Sequence, residues 1–162
     1  IRQGDSMWIY YSGNNLGQHE SGVMSGGIGL ATTKVGRFAA QSAGDIPGFL
    51  LTREFIVEGN RLLVNTTGIS SPDGDAVLRV EILQRPPITG KAAADAMLEP
   101  ARMVVQGFSL ADCDPIRADG TAIEVRWNGN PDISRFRGKP VYLRFQLCKK
   151  GLCAFCIVED GT

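Results

Sequence analysis

The sequence is poor in the groups that most enzyme chemistry needs. It has one histidine, His19, in the polar loop 12–27. A Ser-His-acid triad would have to be built on that loop, and no Gly-x-Ser-x-Gly elbow supplies a nucleophile. His19 therefore reads as a solvent-exposed loop residue. The glycine-rich run Gly22 to Gly29 lacks the lysine of a phosphate-binding loop, and a strand rather than a helix is expected after it. Seventeen basic and seventeen acidic side chains cancel without forming blocks, which gives no electrostatic footprint for nucleic acid or an anionic membrane. No apolar run approaches the ~20 residues of a membrane-spanning helix, and the start IRQGDSMWIYY has no signal-peptide character, so a soluble body is expected. Beginning at Ile1 favours a domain cut from something longer. No repeat of propeller period is evident.

Cysteine is sparse too. Of the four, Cys113, Cys148, Cys153 and Cys156, three lie close together near the C-terminus, and no paired C-x-x-C spacing supports zinc. Cys153 and Cys156 form one C-x-x-C on an expected strand, not at a helix N-terminus where a redox thiol would be activated. Neither a metal nor a cofactor is expected, and small buried apolar roles are the stronger reading.

What is present is strand. Gly107 to Trp127, GFSLADCDPIRADGTAIEVRW, joins a polar turn to a clear alternation in which Ile123, Val125 and Trp127 oppose Glu124 and Arg126. Further strands are expected at Met7–Tyr11, Ile28–Thr32, Phe38–Ala40 (a short edge), Phe49–Arg53, Arg61–Thr67 and Ala76–Leu83. The last two read as consecutive antiparallel neighbours. In Ala76–Leu83, Leu78, Val80 and Ile82 share one face, and Arg79 and Glu81 the other, which is expected to meet solvent or a partner. Lys91–Met103 has the only helical composition, and Pro100 limits it to two turns. Tyr142–Leu147 and Cys153–Val158 read as a hairpin around a Lys150-Gly151 turn. That register sets Cys148 opposite Cys153, placed to bridge, with Cys156 on the core face opposite Phe145. The whole reads as an all-β antiparallel β-sandwich, jelly-roll-like, with at most one short helix.

The segments YYSGNNLGQHE, GIGLATTKVGRF, LLTREFIVEGNRLLVN, GFSLADCDPI, VRWNGNPDISRFRGKPVYLRFQL and CAFCIV together resemble the C-terminal part of bacterial proteins related to glycoside hydrolase family 32. In that family a β-propeller carries the active site and a β-sandwich follows it. The resemblance implies that residues 1–37 correspond to the end of a propeller blade and 38–162 to the sandwich. It implies a secreted or periplasmic location, and a parent catalytic domain or carbohydrate as partner. The family's catalytic acids sit in Asn-Asp-Pro, Arg-Asp-Pro and Glu-Cys motifs of the propeller. None occurs here, and Asn130-Pro131-Asp132 is only a scrambled likeness.

Sugar rings stack their C–H faces on aromatics while amides, carboxylates and Arg take the hydroxyls. Two groups have that mixture: Trp8, Tyr10, Tyr11 and Asn14, and Trp127, Asn128, Asp112 and Asp114. Trp127 alternates with Ile123 and Val125, which makes core packing its stronger use. Asp112 and Asp114 suit backbone hydrogen bonds in a turn better than a calcium or sugar-hydroxyl role. Glu124 reads as a solvated strand residue. Three functions are expected in order: a non-catalytic sandwich module supporting a propeller or holding glycan, a glycoside hydrolase with an unadvertised carboxyl site, and a structural domain without ligand. Outside a propeller the strands of residues 1–37 lose their blade partners, so their unpaired edges are expected to pack on the sandwich or to associate with another chain.

Overall fold

The structure, a computed structural model, describes residues 1–17, 20–23, 25–68, 75–86 and 102–160. The chain divides into two units, Ile1–Ala39 and Ala40–Thr162, and is all-β. The first unit is an antiparallel sheet of β1 (Arg2–Gln3), β2 (Ser6–Asn14) and β3 (Gly26–Lys34), in that order. Its long pair runs from Ser6↔Lys34 to Asn14↔Gly26 without a break. The ion pair Lys34 Nζ to Asp5 Oδ2 at 2.7 Å and the bond from Val35 N to Asp5 O at 2.8 Å close one end.

The second unit holds β4 (Gln41–Ala43), β5 (Gly48–Leu51), β6 (Phe55–Ile56), β7 (Arg61–Gly68), β8 (Val77–Gln84), β9 (Met103–Val104), β10 (Gly120–Glu124), β11 (Pro140–Cys148) and β12 (Lys150–Val158). One antiparallel sheet has the order β10-β7-β12-β4; the other has β5-β11-β8-β9, with β6 also on β11. Alternation dictates how they face each other. Leu62 and Val64 of β7 and Leu152 of β12 share one buried cluster with Leu78, Val80 and Ile82 of β8 and Leu143, Phe145 and Leu147 of β11. Each such side chain, fully buried, contributes roughly 1.5–3 kcal/mol. The Phe145 and Phe155 rings, 5.4 Å apart, tie one sheet to the other. The fold is thus a β-sandwich, as expected.

Its connectivity differs from the expected one at the C-terminal pair. β11 and β12 do not pair with each other: β11 lies between β5 and β8, and β12 between β7 and β4. A two-residue hairpin is built on a type I′ or II′ turn, either of which needs positive φ at its first central position, and neither Lys150 nor Gly151 has it. Here, among non-glycine residues of this crossing, only Lys149 has it, at 48°. One left-handed residue bends the chain from sheet to sheet instead of folding it back. β4 and β5 make the same crossing beside it, and Lys149 N donates to Gly44 O at 2.9 Å. Cys148 therefore faces Val77, not Cys153, and all four cysteines are free thiols. Cys156 pairs in register with Leu63 and is exposed, not in the core.

Other expectations are corrected by the same separation of sheets. β7 and β8 are neighbours in sequence but lie in different sheets. Glu81 does not meet solvent; it is 2% exposed, ion-paired with Arg144, and accepts from Leu110 N at 3.2 Å. The early edge strand is Gln41–Ala43, not Phe38–Ala40. Of the helix expected over Lys91–Met103, all but the last two residues lie outside the described residues, and Met103 begins β9.

The crossing is anchored by Lys150. Its side chain is 1% exposed, and Nζ donates to Arg117 O at 2.7 Å and Asp119 Oδ1 at 2.5 Å. A buried ammonium that loses its carboxylate costs more than the pair's replacement by an apolar side chain of similar size. Asp119→Ala is therefore expected to lower stability by on the order of 3 kcal/mol, and Lys150→Met by less, in urea unfolding; equal losses would disprove the role given to this pair. Thiol titration is expected to find four reactive groups in the unfolded protein. In the folded protein exposed Cys156 reacts first and Cys113 last, because burial pushes the Cys113 thiol up to about 11.

Candidate ligand-binding surfaces

The two groups of expected sugar-contacting residues lie in different units. In the first unit, period-two alternation puts Trp8, Tyr10 and Asn14 on one face of β2, across from Thr32, Leu30 and Gly26 of β3. Trp8 and Tyr10 stand about 6.7 Å apart along the strand. Trp8 is half-buried, and Tyr10 is 53% exposed. Tyr11 does not join them. It belongs to the opposite face, where its ring covers Gly29, and a Cβ at that position would collide with the ring. Asn14 lies over Gly26 in the same way. Both glycines thus leave room for a cross-strand side chain to lie on the backbone. Asn15 closes the loop by accepting from Ser25 N at 2.7 Å. His19 lies outside the described residues.

In the second unit, Asp112, Asp114 and Asn128 come together, but as the frame of two turns. Ser109 donates to Asp112 Oδ2 from its hydroxyl at 2.6 Å and its N–H at 3.0 Å, and Asn128 Nδ2 donates to Asp112 Oδ1 at 3.3 Å. Gly129 N donates to Asp114 Oδ2 at 2.9 Å. Asn128 and Gly129 have φ of 52° and 79°, and Trp127 and Asn130 exchange backbone bonds of 2.9 and 3.0 Å across them. This is the two-residue Asn-Gly hairpin turn, whose sequence signal is plain in Trp127-Asn128-Gly129-Asn130. Trp127 is 2% exposed, packs 5.1 Å from Phe108 and donates Nε1 to Val80 O at 2.9 Å. Its burial removes it from any sugar-stacking role.

Asp114 also lines an open cleft of about 420 Å³ with Pro115, Ile116, Arg117, Ile123, Glu124 and Arg126. The floor is aliphatic and the rim charged, and no lining residue is aromatic. Glu124 is not freely solvated, for its carboxylate sits 2.6 Å from Arg126 Nη2 and 3.4 Å from Arg61 Nε. The outer face of β5 and β11 was not expected to carry a site. Phe49, 60% exposed, pairs in register with Gln146 and lies under the Arg144 guanidinium at 5.8 Å. Strand alternation gave Arg144 and Gln146 one face, but β5 as their neighbour is a matter of topology. Among the described residues no cluster of three or more His, Cys, Asp or Glu is arranged to hold a metal ion, and no helix is long and apolar enough to cross a membrane.

Comparison of the chain with protein-family models, curated proteins and solved structures finds no match.

The hydrogen bonds from Ser109, then from Asn128, hold the Asp112 carboxyl below its ordinary 3.8, and the Ser134 N–H and hydroxyl do the same for Asp132. Groups depressed in the folded state add stability above the unfolded pKa and lose it as pH falls through the folded one. The melting temperature is therefore expected to fall below about pH 4. Asp112→Asn should melt lower than the parent near neutral pH and show a smaller further drop in acid. An unchanged acid profile would show that the Ser109–Asp112 turn does not couple to folding.

Proposed function

We propose that this chain is a non-catalytic β-sandwich module of a carbohydrate-active enzyme, which holds glycan or supports a catalytic propeller. The observation that carries the reading is the face of β2 where Trp8 and Tyr10 stand in line with Asn14. Two rings on one sheet face offer a flat stacking surface, and an amide beside them offers hydroxyl contacts, which is the chemistry a sugar chain needs. Phe49 with Arg144 and Gln146 is a smaller polar-aromatic surface with one ring, which lies under the Arg144 guanidinium. The likeness to the end of a glycoside hydrolase family 32 propeller and its sandwich agrees with this reading and would make the chain secreted or periplasmic.

The acids support a non-hydrolytic role. A glycosidase working through two carboxyls keeps one protonated near neutral pH by raising its pKa, and sets the pair ~5 or 6.5–9.5 Å apart across a cleft. Asp112, Asp114 and Asp132 are instead bound to N–H and O–H donors, and Glu124, Glu81 and Asp119 to Arg or Lys. Asp112 and Asp132 are held low, the direction opposite to a general acid.

Affinity electrophoresis of the whole chain through gels cast with a panel of plant and bacterial polysaccharides, with sugar release measured in parallel, tests this. At least one polysaccharide should retard the protein without hydrolysis. Trp8→Ala and Tyr10→Ala should each lose roughly 0.5–1.5 kcal/mol of binding. Sugar release abolished by Asp112→Asn or Glu124→Gln would replace this reading with hydrolysis, and lack of retardation by every polysaccharide would remove the glycan.

A further inference from the structure

Among the described residues, the hydrogen-bond pattern of the first unit leaves β3 without an outer partner along its whole length. Asn15 N donates to Ser25 O at 2.9 Å, and Val35 N to Asp5 O at 2.8 Å. With the register unbroken between them, antiparallel geometry turns Gly27, Gly29, Ala31 and Thr33 toward β2. Ile28, Leu30 and Thr32 direct their N–H and C=O groups away from the sheet. They have no hydrogen-bond partner among the described residues. Their side chains share the face of Trp8 and Tyr10, with Ile28 83% and Leu30 46% exposed.

The sandwich treats its edges otherwise. β4 has three residues, β5 four and β9 two, while β10 carries a register shift against β7. The edge of β8 is sealed by bonds with Phe108, Ile116, the Cys113 sulfur and the Trp127 indole. β3 has nine residues with no proline and no bulge, and no charged side chain before Lys34. A long, unbroken and largely uncharged edge is what strands present when another strand is to be added.

We infer that β3 pairs antiparallel with β3 of a second copy of this chain, joining two three-stranded sheets into one of six strands. The edge selects a copy of itself because it is uncharged from Gly26 to Thr33. A charged segment finds no complement there, whereas two copies meet without like-charge repulsion. The pairing is isologous, so Ile28, Leu30 and Thr32 of one copy lie beside the same residues of the other and one contact closes the assembly. The inference stands on the edge and not on the glycan reading, which concerns the sheet face.

Sedimentation equilibrium of the whole chain tests it. The parent should show a concentration-dependent mass rising to twice the 17.4 kDa of one chain. Leu30→Pro deletes an N–H that faces outward and leaves the β2–β3 bonds intact. Ile28→Lys puts a charge at a position 83% exposed in the single chain. Each should raise the dissociation constant at least about tenfold, with the circular dichroism unchanged. If Leu30→Pro alters the circular dichroism, Ile28→Lys decides the matter. A parent that keeps one chain's mass up to about 1 mM, or folded variants that dimerise as the parent does, would overturn the inference.

Discussion

The sandwich depends on a buried ammonium. Lys150 lies where the chain leaves one sheet for the other, and its Nζ reaches back to Arg117 O and Asp119 in the segment that leads into β10. A charge in that position is tolerated only with its partners in place, so their positions are fixed together. Lys149, one residue earlier, supplies the left-handed bend and holds Asp45 at 3.1 Å and Asp75 at 2.6 Å. The hydrogen bonds that Lys149 donates, to Asp75 first and then to Asp45, raise its pKa, which keeps its charge on at any ordinary pH. Two adjacent lysines thus do different work: one turns the backbone, and the other pins the turn from inside.

With the crossing fixed, the remaining difficulty for a sandwich is its edges. The polar stretch from Gly107 to Trp127 answers it along β8. Ile82 N donates to Phe108 O, and Val105 N to Ile82 O; Leu78 and Ile116 exchange both their backbone bonds. Between them, where a strand partner is missing, Val80 N donates to the Cys113 sulfur and Val80 O accepts from the Trp127 indole. Side chains here complete a ladder that the backbone leaves unfinished. Asp112 and Asp114 keep the two turns of this segment in shape, so carboxylates that look chemical in the sequence serve the fold.

Period and turn chemistry made much of this legible. β2, β3, β7, β8 and β11 fall where alternation puts them, because each has one face in the core or beside aromatics. Topology was not legible at Lys149-Lys150-Gly151. A lysine pair before glycine is compatible with a hairpin or with a bend between sheets, and only the position of β4 and β5 decides between them. Glu81 shows the same limit. Its place opposite Val80 and Ile82 is readable, but its burial comes from Leu110 and Arg144, remote in sequence. The Asn128-Gly129 turn was readable, and the sugar chemistry suggested by Trp127-Asn128 obscured it. The opposite facing of Tyr10 and Tyr11 follows from adjacency alone on a strand.

The contrast between the two units bears on what the first one is for. An isolated two-stranded hairpin is marginal in water, and a small sheet needs three or more strands with an apolar face for independent stability. In β2 and β3 the glycines at 26 and 29 let Asn14 and Tyr11 lie across the backbone, which shields part of the pair from within. That device leaves the Trp8–Tyr10 face accessible and, among the described residues, the β3 edge unpaired. The second unit uses its most particular sequence to close an edge, whereas β3 has no proline or bulge and no charged side chain before Lys34. Open backbone groups beside exposed aromatic and aliphatic side chains form a template on which another strand can be added. On the pairing inferred above, the first unit is the part of the chain that associates, through the edge of β3.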